Sequence, residues 1–86
     1  CMRFKVTEYF NPNDYIYEIN ADSIEEISDK IIKKNKIKHA KVNFRCYDGW
    51  YEYHITQSYS KLYPPTDANP DKEINYYGKI ETIKER

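Results

Sequence analysis

Glycine, cysteine and net charge are what this chain has least of, and each shortage excludes a class of function. Its only 2 glycines are Gly49 and Gly78, too few for the glycine-rich loops that cradle nucleotide phosphates. Lys plus Arg and Asp plus Glu number 14 each, so no global field draws the chain to nucleic acid or to an anionic membrane. Its 2 cysteines are Cys1 and Cys46, with no CxxC and, around His39 and His54, no HxxxH. Neither a disulfide framework nor a zinc site is expected, and no cofactor or metal is implied. No apolar run reaches the length of a membrane span, and no basic segment leads into a hydrophobic stretch as in a signal peptide. The expectation is a soluble, cytoplasmic protein without a membrane partner. Cys1 ahead of Met2 reads as an extra residue before a natural start, although a lipid-modified cysteine would also open a mature chain.

What is present is a hairpin. Two alternating segments flank Asp48-Gly49 between Lys41 and Tyr59, and that dipeptide suits a two-residue turn with positive φ at both central positions. Such a turn makes facing residues sum to 97, which assigns every side chain to a face. Val42 with Ile55, Phe44 with Tyr53 and Cys46 with Tyr51 fall on the core face. Lys41 with Thr56, Asn43 with His54, Arg45 with Glu52 and Tyr47 with Trp50 fall on the other, an opposite-charge pair beside an aromatic pair.

Before the hairpin, Arg3 to Phe10 and Tyr15 to Asn20 alternate as half-buried strands around the turn cluster Asn11-Pro12-Asn13-Asp14. Setting Phe10 opposite Tyr15 brings Val6 to Ile19 and Phe4 to Ala21, and leaves Glu8 beside Tyr17 as the one misfit, placed near a sheet margin. Ser23-Ile24-Glu25-Glu26 reads as a capping box in which Glu26 reaches back to the Ser23 amide. Ile24, Ile27 and Ile31, with Ile32 on the shoulder, form the apolar stripe of a helix of about thirteen residues fraying near Asn35. Glu26 with Lys30 and Asp29 with Lys33 add i,i+4 pairs. Ser60 to Lys72, with Pro64-Pro65 and Asn69-Pro70, is expected to be a surface loop or flap. Ile74, Tyr76 and Ile80 resume a period of two, with Ile83 out of phase, so a bulge near Gly78 or a terminal helical turn is expected.

The fold class is therefore α+β: one domain over 1–86, of about five antiparallel strands in the order ββαβββ, with a single amphipathic helix on one face. The other face is left with Lys5, Thr7, Tyr9, Glu18, Lys41, Asn43, Arg45, Tyr47, Trp50, Glu52, His54 and Thr56.

Chemistry is weighed against that map. A catalytic or metal-bound Cys46 is disfavoured because the register sends Cys46 and His54 to opposite faces, and a buried small hydrophobe is the plainer reading of Cys46. Arg45, Glu52 and His54 could form an acid/base set of an RNA-cleaving kind, but cross-strand pairing already accounts for them. No acid occurs from Lys30 to Tyr47, while Lys30, Lys33, Lys34, Lys36, Lys38, Lys41 and Arg45 supply 7 cations. Contact of Lys33, Lys34, Lys36, Lys38 and Lys41 with nucleic acid or an acidic partner is the second reading. The first is a non-enzymatic interaction module binding another protein, or itself, through Tyr47, Asp48, Trp50, Arg45, Glu52 and His54. It rests on 10 tyrosines and 1 tryptophan, because a large rigid ring with a polar handle suits interfaces. The role expected is that of a small inhibitor or adaptor. Heavy use of Ile, Lys, Asn, Tyr and Phe, residues with AT-rich codons, suggests a low-GC bacterium, phage or plasmid as source.

Overall fold

A computed structural model describes residues 1–58 and 73–83, and the loop expected over 60–72 lies outside the described residues. The elements are β1 (Met2–Tyr9), β2 (Tyr15–Ala21), α1 (Ile24–Lys34), β3 (Ala40–Tyr47), β4 (Trp50–Ser58) and β5 (Glu73–Thr82). The expected α+β fold is present: the five strands form one sheet in the order β2-β1-β5-β4-β3, with every neighbouring pair antiparallel. The last strand thus enters the middle, joining the β1–β2 hairpin to the β3–β4 hairpin.

One face packs against α1. Phe4, Val6, Ala21, Tyr53, Ile55 and Ile80 meet Ile27 and Ile31 of the helix and Ile37 beyond it. Of the expected helical stripe, Ile27 and Ile31 are buried, while Ile24 and Ile32 pack at its margin. Ser23 caps the helix, its Oγ accepting from the Glu26 amide at 3.2 Å. Glu26 reaches back one residue further than a standard capping box, Oε2 accepting from the Asp22 amide at 2.8 Å, and this bond, aided by Lys30, holds its carboxyl below the usual carboxylate range. Lys30 pairs with Glu26 at 3.5 Å, but no Asp29–Lys33 ion pair forms among the described residues.

The helix ends in a Schellman motif. Lys36 donates to the Lys33 carbonyl at 3.2 Å, and Ile37 donates to the Ile32 carbonyl at 3.0 Å. Ile37 is buried, as the residue after such a turn tends to be. Lys36 occupies the left-handed position with φ of 54°, where a Cβ costs about 1 to 2 kcal/mol.

Three local expectations are corrected. The β1–β2 register is Phe4 opposite Ile19, Val6 opposite Tyr17 and Glu8 opposite Tyr15, a slip of two from that expected. The connection takes Phe10 into the turn, so Phe10 and Tyr15 are exposed rather than paired in the core. A slip of two preserves the faces. β5 carries no bulge at Gly78: its register is unbroken against both neighbours, and Ile83 lies beyond the strand end, donating to the Arg3 carbonyl at 3.0 Å. Gly78 is there because a Cβ would collide with the Tyr53 ring and the Thr7 carbonyl. The hairpin turn has positive φ only at Gly49, at 81°, the sign pattern of a type II turn rather than the doubly positive one.

Glu8 is the largest departure. It is 1% exposed, in the core rather than at a margin, and forms an ion pair with Lys34. The Asn35 amide nitrogen donates to its other oxygen at 3.0 Å. The Lys34 ammonium also lies over the rings of Tyr15 and Tyr17, at 3.9 and 4.4 Å from their centroids, an attraction available to any cation on an aromatic face. Burial, then hydrogen bonding and charge from Glu8, push the Tyr17 phenol well above its ordinary value. A carboxylate in the core thus ties the end of α1 to β1 and β2.

Two outcomes follow for urea unfolding. Lys34→Met is expected to cost about 3 kcal/mol, at the low end for a broken buried pair because Lys34 itself is partly solvated; adding Glu8→Gln should recover much of that loss, and strictly additive losses would contradict the pairing. Lys36→Gly should raise stability by about 1 kcal/mol, and a loss would contradict the left-handed assignment.

Candidate functional site

The β3–β4 register is the one expected, from Ala40 opposite Gln57 to Tyr47 opposite Trp50. β5 then supplies the next column on the open face: Glu81 beside Trp50, Lys79 beside Glu52, Tyr77 beside His54 and Asn75 beside Thr56. β1 extends it with Lys5 beside Glu81, Thr7 beside Lys79 and Tyr9 beside Tyr77. Each row of this face is thus set by strand pairing alone.

At the hairpin end, Tyr47 and Trp50 stack with centroids 4.2 Å apart and planes 14° from parallel. Tyr47 is 43% exposed. The turn itself is held to the sheet because the Thr82 amide donates to the Gly49 carbonyl at 2.9 Å. Asp48 is exposed at the tip. One row further in, Arg45 and Glu52 face each other, yet neither reaches ion-pair distance of any partner among the described residues. Their charges remain available.

A second stack lies beyond them. His54 and Tyr77 have centroids 4.5 Å apart and planes 8° from parallel. His54 Nε2 donates to Asn75 Oδ1 at 2.8 Å, and Thr56 Oγ1 lies 3.3 Å from the same nitrogen. An amide oxygen as partner places a proton on Nε2. Asn43, Arg45, Glu52, His54 and Tyr77 border a shallow depression of about 430 Å³, with Phe44 and Tyr53 also contributing to its wall. Chemically, this face offers two rigid aromatic pairs, a donor fork at Arg45 and a carboxylate at Glu52.

The expected site residues Arg45, Tyr47, Trp50, Glu52 and His54 are therefore brought together along one face, with Asp48 at its tip. Tyr77 and Ile16 are additions, 51% and 55% exposed, and Tyr9, expected on this face, is 45% exposed. The period of two through Ile74, Tyr76 and Ile80 already put Tyr77 on the odd, outward phase, which was the signal for it. The basic segment does not form a single patch. Lys34 is committed to Glu8 on the helix side, Lys33 is in the last helical turn, and Lys36 and Lys38 lie in the connection to β3. Lys41 stands on the open face.

Cys46 is corrected. Register keeps it on the helix side, opposite Tyr51, but it is exposed because α1 runs closest to β2 and leaves the turn end of β3 uncovered. Cys46 and His54 still point to opposite faces. His39, at φ of 53°, precedes the strand. No family model matches this chain, and neither a curated protein nor a solved structure matches it.

In a Cys1→Ser background, the Cys46 thiol is expected to react with a water-soluble disulfide reagent without denaturant, within about tenfold of the rate of free cysteine. Reaction only after unfolding would return Cys46 to the core.

Proposed function

We propose that this chain is a non-catalytic protein-interaction module that binds another protein through the open sheet face and the β3–β4 hairpin end. The observation that carries this reading is the Tyr47–Trp50 stack at 4.2 Å, built at an exposed end of the sheet where no element of the described fold covers it. A preassembled aromatic pair loses little side-chain freedom on binding, and Tyr and Trp dominate the energetics of interfaces.

The charges around the stack support a protein rather than a polyanion as partner. Arg3, Lys5, Lys41, Arg45 and Lys79 share the face with Glu18, Glu52 and Glu81, and Arg3–Glu18 and Lys79–Glu81 are paired at 2.8 and 3.5 Å. Interspersed signs match another mixed-charge surface, whereas a phosphate backbone would meet several carboxylates. The partner chemistry is thus a mixed-charge surface with an apolar recess for Trp50. The role proposed is that of an inhibitor or adaptor, acting by covering a partner's surface through this face.

Trp50→Ala is expected to leave the fold intact and weaken partner binding by roughly 30-fold, the effect of losing about 2 kcal/mol at a central anchor. Titration by calorimetry against a captured partner reads this. Unchanged affinity would overturn the proposal, as would tight, steeply salt-dependent binding of oligonucleotides in place of protein.

A further inference from the structure

The protein-binding reading can be taken further, to the kind of segment the partner presents. We infer that the partner contributes an acidic, amphipathic extended segment that adds to the sheet as a sixth strand along the outer edge of β3.

Three features of β3 point there. First, it is a terminal strand, with β4 as its one neighbour among the described residues. Its 8 residues contain no proline, and their pairing with β4 is unbroken. The backbone groups directed away from β4 therefore form a regular row that an added strand can satisfy. Second, its cations are unneutralised. Lys41 and Arg45 on β3, and Lys36 and Lys38 just before it, are exposed and have no carboxylate partner among the described residues; Lys5 and Lys33 also lack one, whereas Arg3, Lys30, Lys34 and Lys79 each have one. Third, the two faces of β3 ask for different neighbours. Lys41, Asn43 and Arg45 stand on the open face, while Val42 and Phe44 remain half-buried and Cys46 exposed on the helix face.

An incoming strand aligned with β3 sets alternate side chains beside each of these rows. Acids four residues apart on one face meet Lys41 and Arg45, and apolar residues on the other complete the cover over Val42, Phe44 and Cys46. A second copy of this chain offers cations and no acids along its own β3. Antiparallel pairing of β3 with itself about Asn43 sets Lys41 against Arg45, parallel pairing in register sets each cation against itself, and like charges directly opposite are destabilising. Nucleic acid would answer the cations but only half of the edge, since phosphate oxygens can accept from the outward N–H groups and offer no donor to the outward carbonyl oxygens.

The probe is a peptide of about eight residues with valine on one face and two glutamates four positions apart on the other, added at millimolar concentration to the full chain. Residue-resolved amide hydrogen exchange is the readout. Slowing by tenfold or more, confined to alternate amides of β3 and lost when the peptide carries a central proline, is expected. Lys41→Glu with Arg45→Glu, two exposed changes that leave the core untouched, should weaken binding by tenfold or more, as should raised salt with the unmodified chain. Equal binding of the proline peptide, no slowing in β3, dimerisation of the chain through β3, or binding of oligothymidylate with no binding of the peptide would each overturn the inference. A partner that binds in a Trp50-dependent manner while β3 amides exchange unchanged overturns the edge assignment and leaves the hairpin-end reading standing.

Discussion

A single helix can cover only part of a five-stranded sheet, and most of the features of this molecule follow from that mismatch. An 11-residue helix is roughly 16 Å long and about 10 Å across. Five strands at about 4.8 Å spacing span roughly 19 Å between the outer backbones. The core therefore lies where α1 lies, over β2, β1, β5 and the near part of β4, and thins toward β3. Ile55 and Tyr53 are buried while Val42 and Phe44, their partners one strand further out, are half-buried and Cys46 is exposed. The opposite face has no second layer over it within the described fold, although Thr7, expected to lie open there, is buried among its sheet neighbours. The same shortage of helix creates the open aromatic surface and the half-dressed edge.

Holding so short a helix in one orientation takes more than an apolar stripe. The buried Glu8 carboxylate supplies a directional tie, since Lys34 and Asn35 must both stand at the end of α1 to satisfy it. A buried carboxylate without partners is strongly disfavoured, so alternative seatings of the helix are penalised as well as the native one being favoured. The Schellman turn at Lys36 and the bond from the Lys38 amide to the Gln57 side chain at 2.7 Å then direct the chain into β3. Helix placement, edge placement and the exposure of Cys46 are linked through this one connection.

The candidate surface is a product of pairing, and its rigidity comes from the sheet beneath it. β5 sits at the centre, so Tyr77 stacks on His54 beside Tyr9, and Lys79 stands in register between Glu52 and Thr7, without any loop having to be ordered. A surface of this kind has its side chains already in place, because strand pairing holds them.

The residues themselves determined the local structure and the faces. Asp48-Gly49 was enough to place Tyr47 against Trp50 and to separate Cys46 from His54, because a strand has a period of two and a two-residue turn leaves one register. Ser23 and the isoleucine stripe were enough for α1, because capping and amphipathicity are local. Even the β1–β2 slip of two left the residues that remain in the two strands on their expected faces, Phe10 alone passing into the turn. The tertiary structure alone decided the strand order, which no turn constrains, and hence that Tyr77 joins His54. It also decided that Gly78 makes room for Tyr53, that Cys46 lies beyond the reach of α1, and that Glu8 is a core residue. A carboxylate is read as exposed until the fold brings a lysine and an asparagine from 26 and 27 residues away to meet it, and that meeting depends on long-range packing that neither periodicity nor spacing records.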